Sequence, residues 1–316
     1  ILTFVALFVI FISYLLLPTF YNQNDISTNL KINLNEKFNL KFNFSEKFNY
    51  NFFPRPHFVT KNSIILNNQN EIAKIGNLIV YISLENFLSK KAIKLKDVVI
   101  ENANFNLNKN NYNFFTKILL NNFRENNLVI KKSNIFFKDS NDEVLFIKKI
   151  LNMEYYYDQK ESRNILYAEN DIFNILYDIK LSNDITQKKI ISKINISPFK
   201  LYLENQHNYS ENLKTGKINL DFNKFKSIAT YKADKNLFTF DFFDKLENPR
   251  FQFKGDFNIN PFYSNITGKI DKLNLSQLFD SNGILAGLLK TEIFNNKNLE
   301  FELNLKSEEL FYNQDF

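Results

Sequence analysis

The chain has 316 residues, 44% of them hydrophobic, with 36 Phe and 15 Tyr, a single Met, and neither Cys nor Trp. This apolar content excludes a disordered tail, and the lack of Cys excludes a disulfide framework, thiolate chemistry and a cysteine metal site. The net charge of +6 does not make a nucleic-acid surface, because the Lys residues are spread between apolar positions and not gathered into a patch. The abundance of Lys, Asn, Ile and Phe is what an AT-rich coding sequence produces.

Residues 1–17, ILTFVALFVIFISYLLL, carry no charge. As a helix they reach about 26 Å, against a hydrocarbon core of roughly 30 Å. Ile1, Phe4, Phe8, Phe11, Leu15 and Leu17 are the expected anchor residues. Pro18, Thr19, Phe20 and Tyr21 continue into the interface, where aromatics are favoured. A cleaved signal peptide needs a small-x-small site, which LLLPTFYNQN lacks, and a buried core helix usually shows a polar face. The expected division is a transmembrane anchor over 1–21 and one β domain over 22–316, incomplete at both ends because the chain starts without Met and stops abruptly. Residues 19–30 carry Asp25 and no Lys or Arg, which fits the non-cytoplasmic side under the positive-inside rule.

After the anchor the apolar period becomes two. Leu30, Ile32, Leu34, Phe38, Leu40, Phe42 and Phe44 all fall on even numbers, which predicts strands with one apolar and one wet face. The rhythm returns at Leu78–Val80–Ile82–Leu84, Phe105–Leu107, Phe238–Phe240–Phe242, Phe251–Phe253, Phe257–Ile259 and Leu299–Phe301–Leu303–Leu305. Turn clusters separate these runs at residues 67–70, 139–142, 182–184 and 295–298, with Asn filling positions that Gly often takes. Helical patterns are few: residues 111–123, with Phe115, Ile118, Leu119 and Phe123 on one face, and short turns at 276–279 and 85–90. The predicted fold is mainly β, a long antiparallel meander with an N-terminal helix. Two or three short helices cannot cover about twenty strands, so the sheet either closes as a sandwich or barrel or curls into an apolar trough. Periodicity leaves both open.

Residues 52–114 carry a resemblance. Pro54-Arg55-Pro56-His57-Phe58, then Ala73-Lys74-Ile75, Phe87-Leu88, Leu95-Lys96-Asp97-Val98 and Phe105-Asn106-Leu107 with Asn113-Phe114 follow one another just after a membrane helix. This ordered series resembles the N-terminal region of the AsmA family, and residues 128–157 look like that family's next hairpin. The second half resembles it only in strand rhythm, and the family's Gly-rich turns are replaced here by Asn. The resemblance implies an elongated, curled, trough-like antiparallel sheet. It also implies a single-pass inner-membrane protein of a Gram-negative envelope with its body in the periplasm.

The implied function is phospholipid handling and outer-membrane biogenesis, the alternative being a scaffold that works with outer-membrane assembly factors without moving lipid. Shielding a sixteen-carbon chain from water is worth about 12 kcal/mol, and an apolar trough supplies that without a catalytic residue. Roughly twenty strands would give a groove of about 95 Å. The expected lining is Phe38, Leu40, Phe42, Phe44, Val80, Ile82, Phe105, Leu107, Phe238, Phe240, Phe242, Phe251, Phe253, Phe301 and Leu303. A third reading, an outer-membrane barrel, would require residues 1–17 to be cleaved.

No catalytic, cofactor or metal residues are expected. His57 and His207 are far apart in sequence, with His57 expected at a surface or turn, and no G-x-S-x-G elbow or Gly-rich phosphate loop is present. Asp139, Asn141 and Glu143 match the start of a calcium loop, but Val144 stands where Gly is needed and Ile150 where Glu is needed, so a hairpin turn is predicted.

Overall fold

A computed structural model of the chain describes residues 2–67, 70–85, 87, 93–139, 141–208, 215–222, 225–234, 237–244, 250–259, 262–278, 289 and 298–312. The chain is mainly β, with an apolar N-terminal helix, few other helices and seventeen described strands in an open, largely antiparallel sheet. The residues group into two compact units.

The first unit holds 1–107, 111–135 and 150–166. Helix α1 (Leu2–Leu16) leads through a 3-10 turn (Leu17–Phe20) into α2 (Gln23–Phe38). The window Thr3–Phe20, with mean hydropathy 2.2, is long and apolar enough to cross a membrane. Phe4, Phe8 and Phe11 are exposed, Leu15 is buried against the protein and Leu17 is half-buried; Ile1 lies outside the described residues. The base of the helix is held by hydroxyls. Tyr14 donates to the Leu84 carbonyl (2.6 Å), Tyr50 to that of Leu15 (2.6 Å), and Tyr21 to that of Phe87.

Residues 23–38 correct the expected strand. They form a helix whose buried residues are Ile26, Leu30, Leu34 and Phe38, a spacing of four, while Ile32 is 50% exposed. Even numbering fits a period of two and a spacing of four alike. The ends are well marked. The Asn22 side chain accepts from the Asn24 N–H, Asp25 sits in the first turn and Lys37 in the last, and Asn39 closes the helix in the left-handed region at φ 52°.

Strands β1 (Lys41–Asn43) and β2 (Asn49–Asn51) both pair with β3 (His57–Asn67), which pairs with β4 (Asn70–Ile82), and β4 with β5 (Leu95–Leu107), all antiparallel. The β3–β4 hairpin turns between the paired Asn67 and Asn70. Helix α3 (Phe114–Ile118) is little more than one turn, shorter than the predicted 111–123, with bends continuing beyond it. Its surroundings close the core: Phe105 packs on Phe115 at 5.1 Å, Phe38 on Phe123 at 5.8 Å, and Phe123 stacks on Tyr155 at 5.4 Å. His57, expected at a surface or turn, is 8% exposed and is the first residue of β3, just past the bend at 53–55, with its Nδ1 2.7 Å from the Arg55 carbonyl.

The second unit holds 108–110, 136–149 and 167–316. Strands β6 (Asn127–Lys138), β7 (Val144–Asp158) and β8 (Arg163–Ile172) contribute residues to both units. At the 139–143 turn, the Asp139 carboxylate accepts from the N–H groups of Asn141 and Glu143, the predicted hairpin turn. Next come β9 (Ile175–Asp184), β10 (Lys189–Ile196), β11 (Leu201–Asn208), β12 (Thr215–Phe222), β13 (Phe225–Ala233), β14 (Leu237–Asp244), β15 (Phe251–Ile259) and β16 (Phe262–Asn274). Each pairs antiparallel with the next. Residues 182–184, expected as a turn, end β9, and the turn falls at 185–188, where the Asp184 carboxylate accepts from the Gln187 N–H. One turn of helix, α4 (Leu275–Leu278), follows β16 where 276–279 was expected. Strand β17 (Glu300–Phe311) runs parallel to β16, a departure from the antiparallel meander that the long connection between them permits. Most of 85–90 and of 295–298 lies outside the described residues.

Candidate functional site

Directly paired residues point to the same side of a sheet, so the registers of the second unit define its faces. One row runs Ile218, Ala229, Phe242, Phe253, Gly268, Leu305 across six consecutive strands. Beside it runs Gly216, Tyr231, Phe240, Gly255, Ile266, Leu303. On the other side of the same strands the row Lys217, Thr230, Asp241, Lys254, Thr267, Asn304 is polar throughout. The apolar side continues through Leu220, Leu203 and Ile194 to Ile179 on β9. It is a largely apolar face, with Asn205, Ser227 and Asp244 set among its hydrophobic positions.

The face is tiled by rings. Tyr231 stacks on Phe238 at 5.3 Å, Phe240 on Phe257 at 5.4 Å and Phe242 on Phe253 at 6.0 Å. Three glycines make this tiling fit. Gly216, Gly255 and Gly268 lie directly opposite Tyr231, Phe240 and Phe253, and in each case the aromatic ring occupies the place of a Cβ on the glycine.

No described helix covers these rings in the way α2 and α3 cover the first unit. Phe238, Phe240, Phe242, Phe251 and Phe253 are half-buried, and Phe301 and Leu303 are 38% and 58% exposed. On this face a cavity of about 380 Å³ opens between Ser227, Phe242, Phe251 and Ile270, with Arg250, Asp271 and Lys272 also lining it. That volume is within the range of small-molecule pockets. Arg250 pairs with the buried Asp244 at 3.0 Å, and the buried Ser227 hydroxyl has no hydrogen-bond partner.

The expected lining residues therefore fall into two groups. Phe38, Leu40, Phe42, Val80, Ile82, Phe105 and Leu107 are at most 5% exposed inside the first unit, where the protein's own side chains fill the space. Phe44 is half-buried there, 4.8 Å from Phe48. For this group an open groove is corrected to a filled core, because the segment read as a strand is the helix that closes it. Phe238, Phe240, Phe242, Phe251, Phe253, Phe301 and Leu303 all lie on the apolar face of the second unit.

Comparison with family models and with characterised proteins finds no match for this chain. Its site is defined by physics alone.

Sequence reasoning missed two features. Lys148 lies on β7 with its ammonium 5.6 Å from the centre of the Tyr177 ring, and burial pushes its pKa down to about 8. The Tyr177 phenol is pushed up by burial, then by the nearby Asp171. The available signal was a cation placed two residues from Phe146 and two from Ile150 in the apolar segment 144–150. The second is the set of glycine–aromatic pairs, which needed the register.

Proposed function

We propose that this chain is a membrane-tethered protein that shields the hydrocarbon part of lipids on the apolar face of its second unit. Under this reading it is an AsmA-like component of a Gram-negative inner membrane, with its body in the periplasm and a part in outer-membrane biogenesis. The observation that carries the reading is the pairing of an exposed apolar helix of membrane-crossing length with a sheet face whose Phe rows remain half-exposed. Contiguous apolar surface of this kind marks a site of interaction in soluble environments. Each methylene moved from water onto it contributes about 0.8 kcal/mol.

The test compares lipid carried by the purified full-length chain with that carried by Phe240→Glu and Leu303→Asp variants. Co-purifying phospholipid, lost in both variants while the circular dichroism is unchanged, supports the reading. Protein free of lipid that crosslinks instead to an outer-membrane assembly factor overturns it in favour of the scaffold role. Phe42 is unsuitable for such a test, since at 5% exposure a charge there would be buried in the first unit's core.

A further inference from the structure

Two adjacent lysines of β7 differ in their surroundings. Lys149 reaches the Asp171 carboxylate at 3.7 Å. Lys148 has no carboxylate partner among the described residues and lies over the Tyr177 ring. Its neighbour Phe146 stacks on Phe137 at 4.6 Å and meets Phe173 at 5.9 Å, so the cation is set among aromatic side chains of the second unit. Tyr177 belongs to the apolar face, two residues from Ile179 on the same side of β9. An ammonium thus stands at the β9 side of a hydrocarbon-compatible surface.

We propose that Lys148 fixes the phosphate of an anionic phospholipid whose acyl chains lie on this apolar face; the inference rests on the lipid-shielding reading above. Three observations favour this occupant. A partly desolvated cation with no carboxylate partner among the described residues, the nearby Asp171 being paired with Lys149, gains from an anion that restores the electrostatic stabilisation lost with water. A lysine ammonium acts as a point charge toward phosphate and demands no planar partner. The face spans the nine strands β9 to β17, about 38 Å at the usual strand spacing. One leaflet of hydrocarbon is only about 15 Å thick, so acyl chains have room beyond the headgroup. Burial lowers the amine to about 8, which leaves it largely protonated at neutral pH and able to hold a phosphate.

The test uses the full-length chain in detergent micelles holding dioleoyl phosphatidylglycerol and dioleoylglycerol in equal amounts, with bound lipid counted by mass spectrometry after re-isolation. The wild type should retain phosphatidylglycerol in about tenfold excess, the size of one charge-assisted hydrogen bond. Lys148→Met should bring the two lipids to parity without reducing dioleoylglycerol, and Lys148→Arg should keep most of the preference. A preference that survives Lys148→Met in a variant of unchanged circular dichroism, or no preference in the wild type, overturns the role of Lys148 and leaves the apolar face intact as a lipid site. Retention of neither lipid by the wild type overturns both.

Discussion

Phe253 stands directly opposite Gly268 across β15 and β16, and a Cβ built on Gly268 would come within 2.5 Å of its ring. The ring therefore lies across the neighbouring strand. Phe240 does the same over Gly255, where a Cβ would also meet the Asn265 carbonyl at 2.6 Å.

The two glycines should respond differently to substitution. Gly255→Ala forces a backbone carbonyl to move and should cost about 1–3 kcal/mol, as overpacking does. The atoms nearest a Cβ on Gly268 are instead the Phe253 ring and the end of the 39%-exposed Leu305, which can shift. The cost of Gly268→Ala should be smaller and should largely vanish when combined with Phe253→Leu, a coupling read from a double-mutant cycle of urea midpoints. Equal midpoints for wild type and Gly255→Ala would refute the tight placement of Phe240.

Helix α2 makes a second prediction. Leu34→Ala should cost about 2–5 kcal/mol because Leu34 is fully buried. Ile32→Ala, at a half-exposed position, should stay within about 0.5 kcal/mol. A strand would place both on one face and make their costs alike, so unequal melting shifts identify the helix.

Lys148 makes a third, in pH. Its folded pKa is about 8, below the ordinary 10.5. Between these values the unfolded chain holds a proton that the folded chain has released, so stability rises with pH across that window. The facing Tyr177 phenol, pushed above its ordinary value, does not titrate there first. The stability difference between wild type and Lys148→Met should therefore be flat below about pH 8. Above it, the difference should move in the wild type's favour by up to about 3 kcal/mol by pH 10.5, read from urea unfolding at each pH. A flat difference throughout would place the amine in water.

The second unit was the more legible in the amino-acid sequence. Its runs Phe238–Phe242 and Phe251–Phe257 alternate with polar residues, and the registers confirm that each run lies on a single face. The first unit was harder to read for two physical reasons. Leu30, Leu34 and Phe38 satisfy helix and strand spacing at once, and only the capping residues Asn22 and Asn39 distinguished them. Its strands also carry kinks at Asn62, Asn102 and Lys132, each with positive φ. These switch the buried positions from even to odd, as from Phe58 and Thr60 to Ser63 and Ile65, or from Val98 and Ile100 to Ala103 and Phe105. With residues 23–38 read as a strand, the short helix at 111–123 is too little to cover the first apolar face, and the alternation of a filled core is the same as that of an open groove. Lys148 was hidden because a lone cation in a strand is usually solvated, and only the fold shows what surrounds it.

The hydroxyls of Tyr14, Tyr21 and Tyr50 tie the base of α1 to the first unit from three separate points of the chain. A helix joined in this way has no swivel. With the helix set in a bilayer, as proposed above, a thinner or thicker membrane that changes its tilt would make the first unit lean by the same angle, so the lipid environment itself would set how that unit is aimed away from the membrane plane.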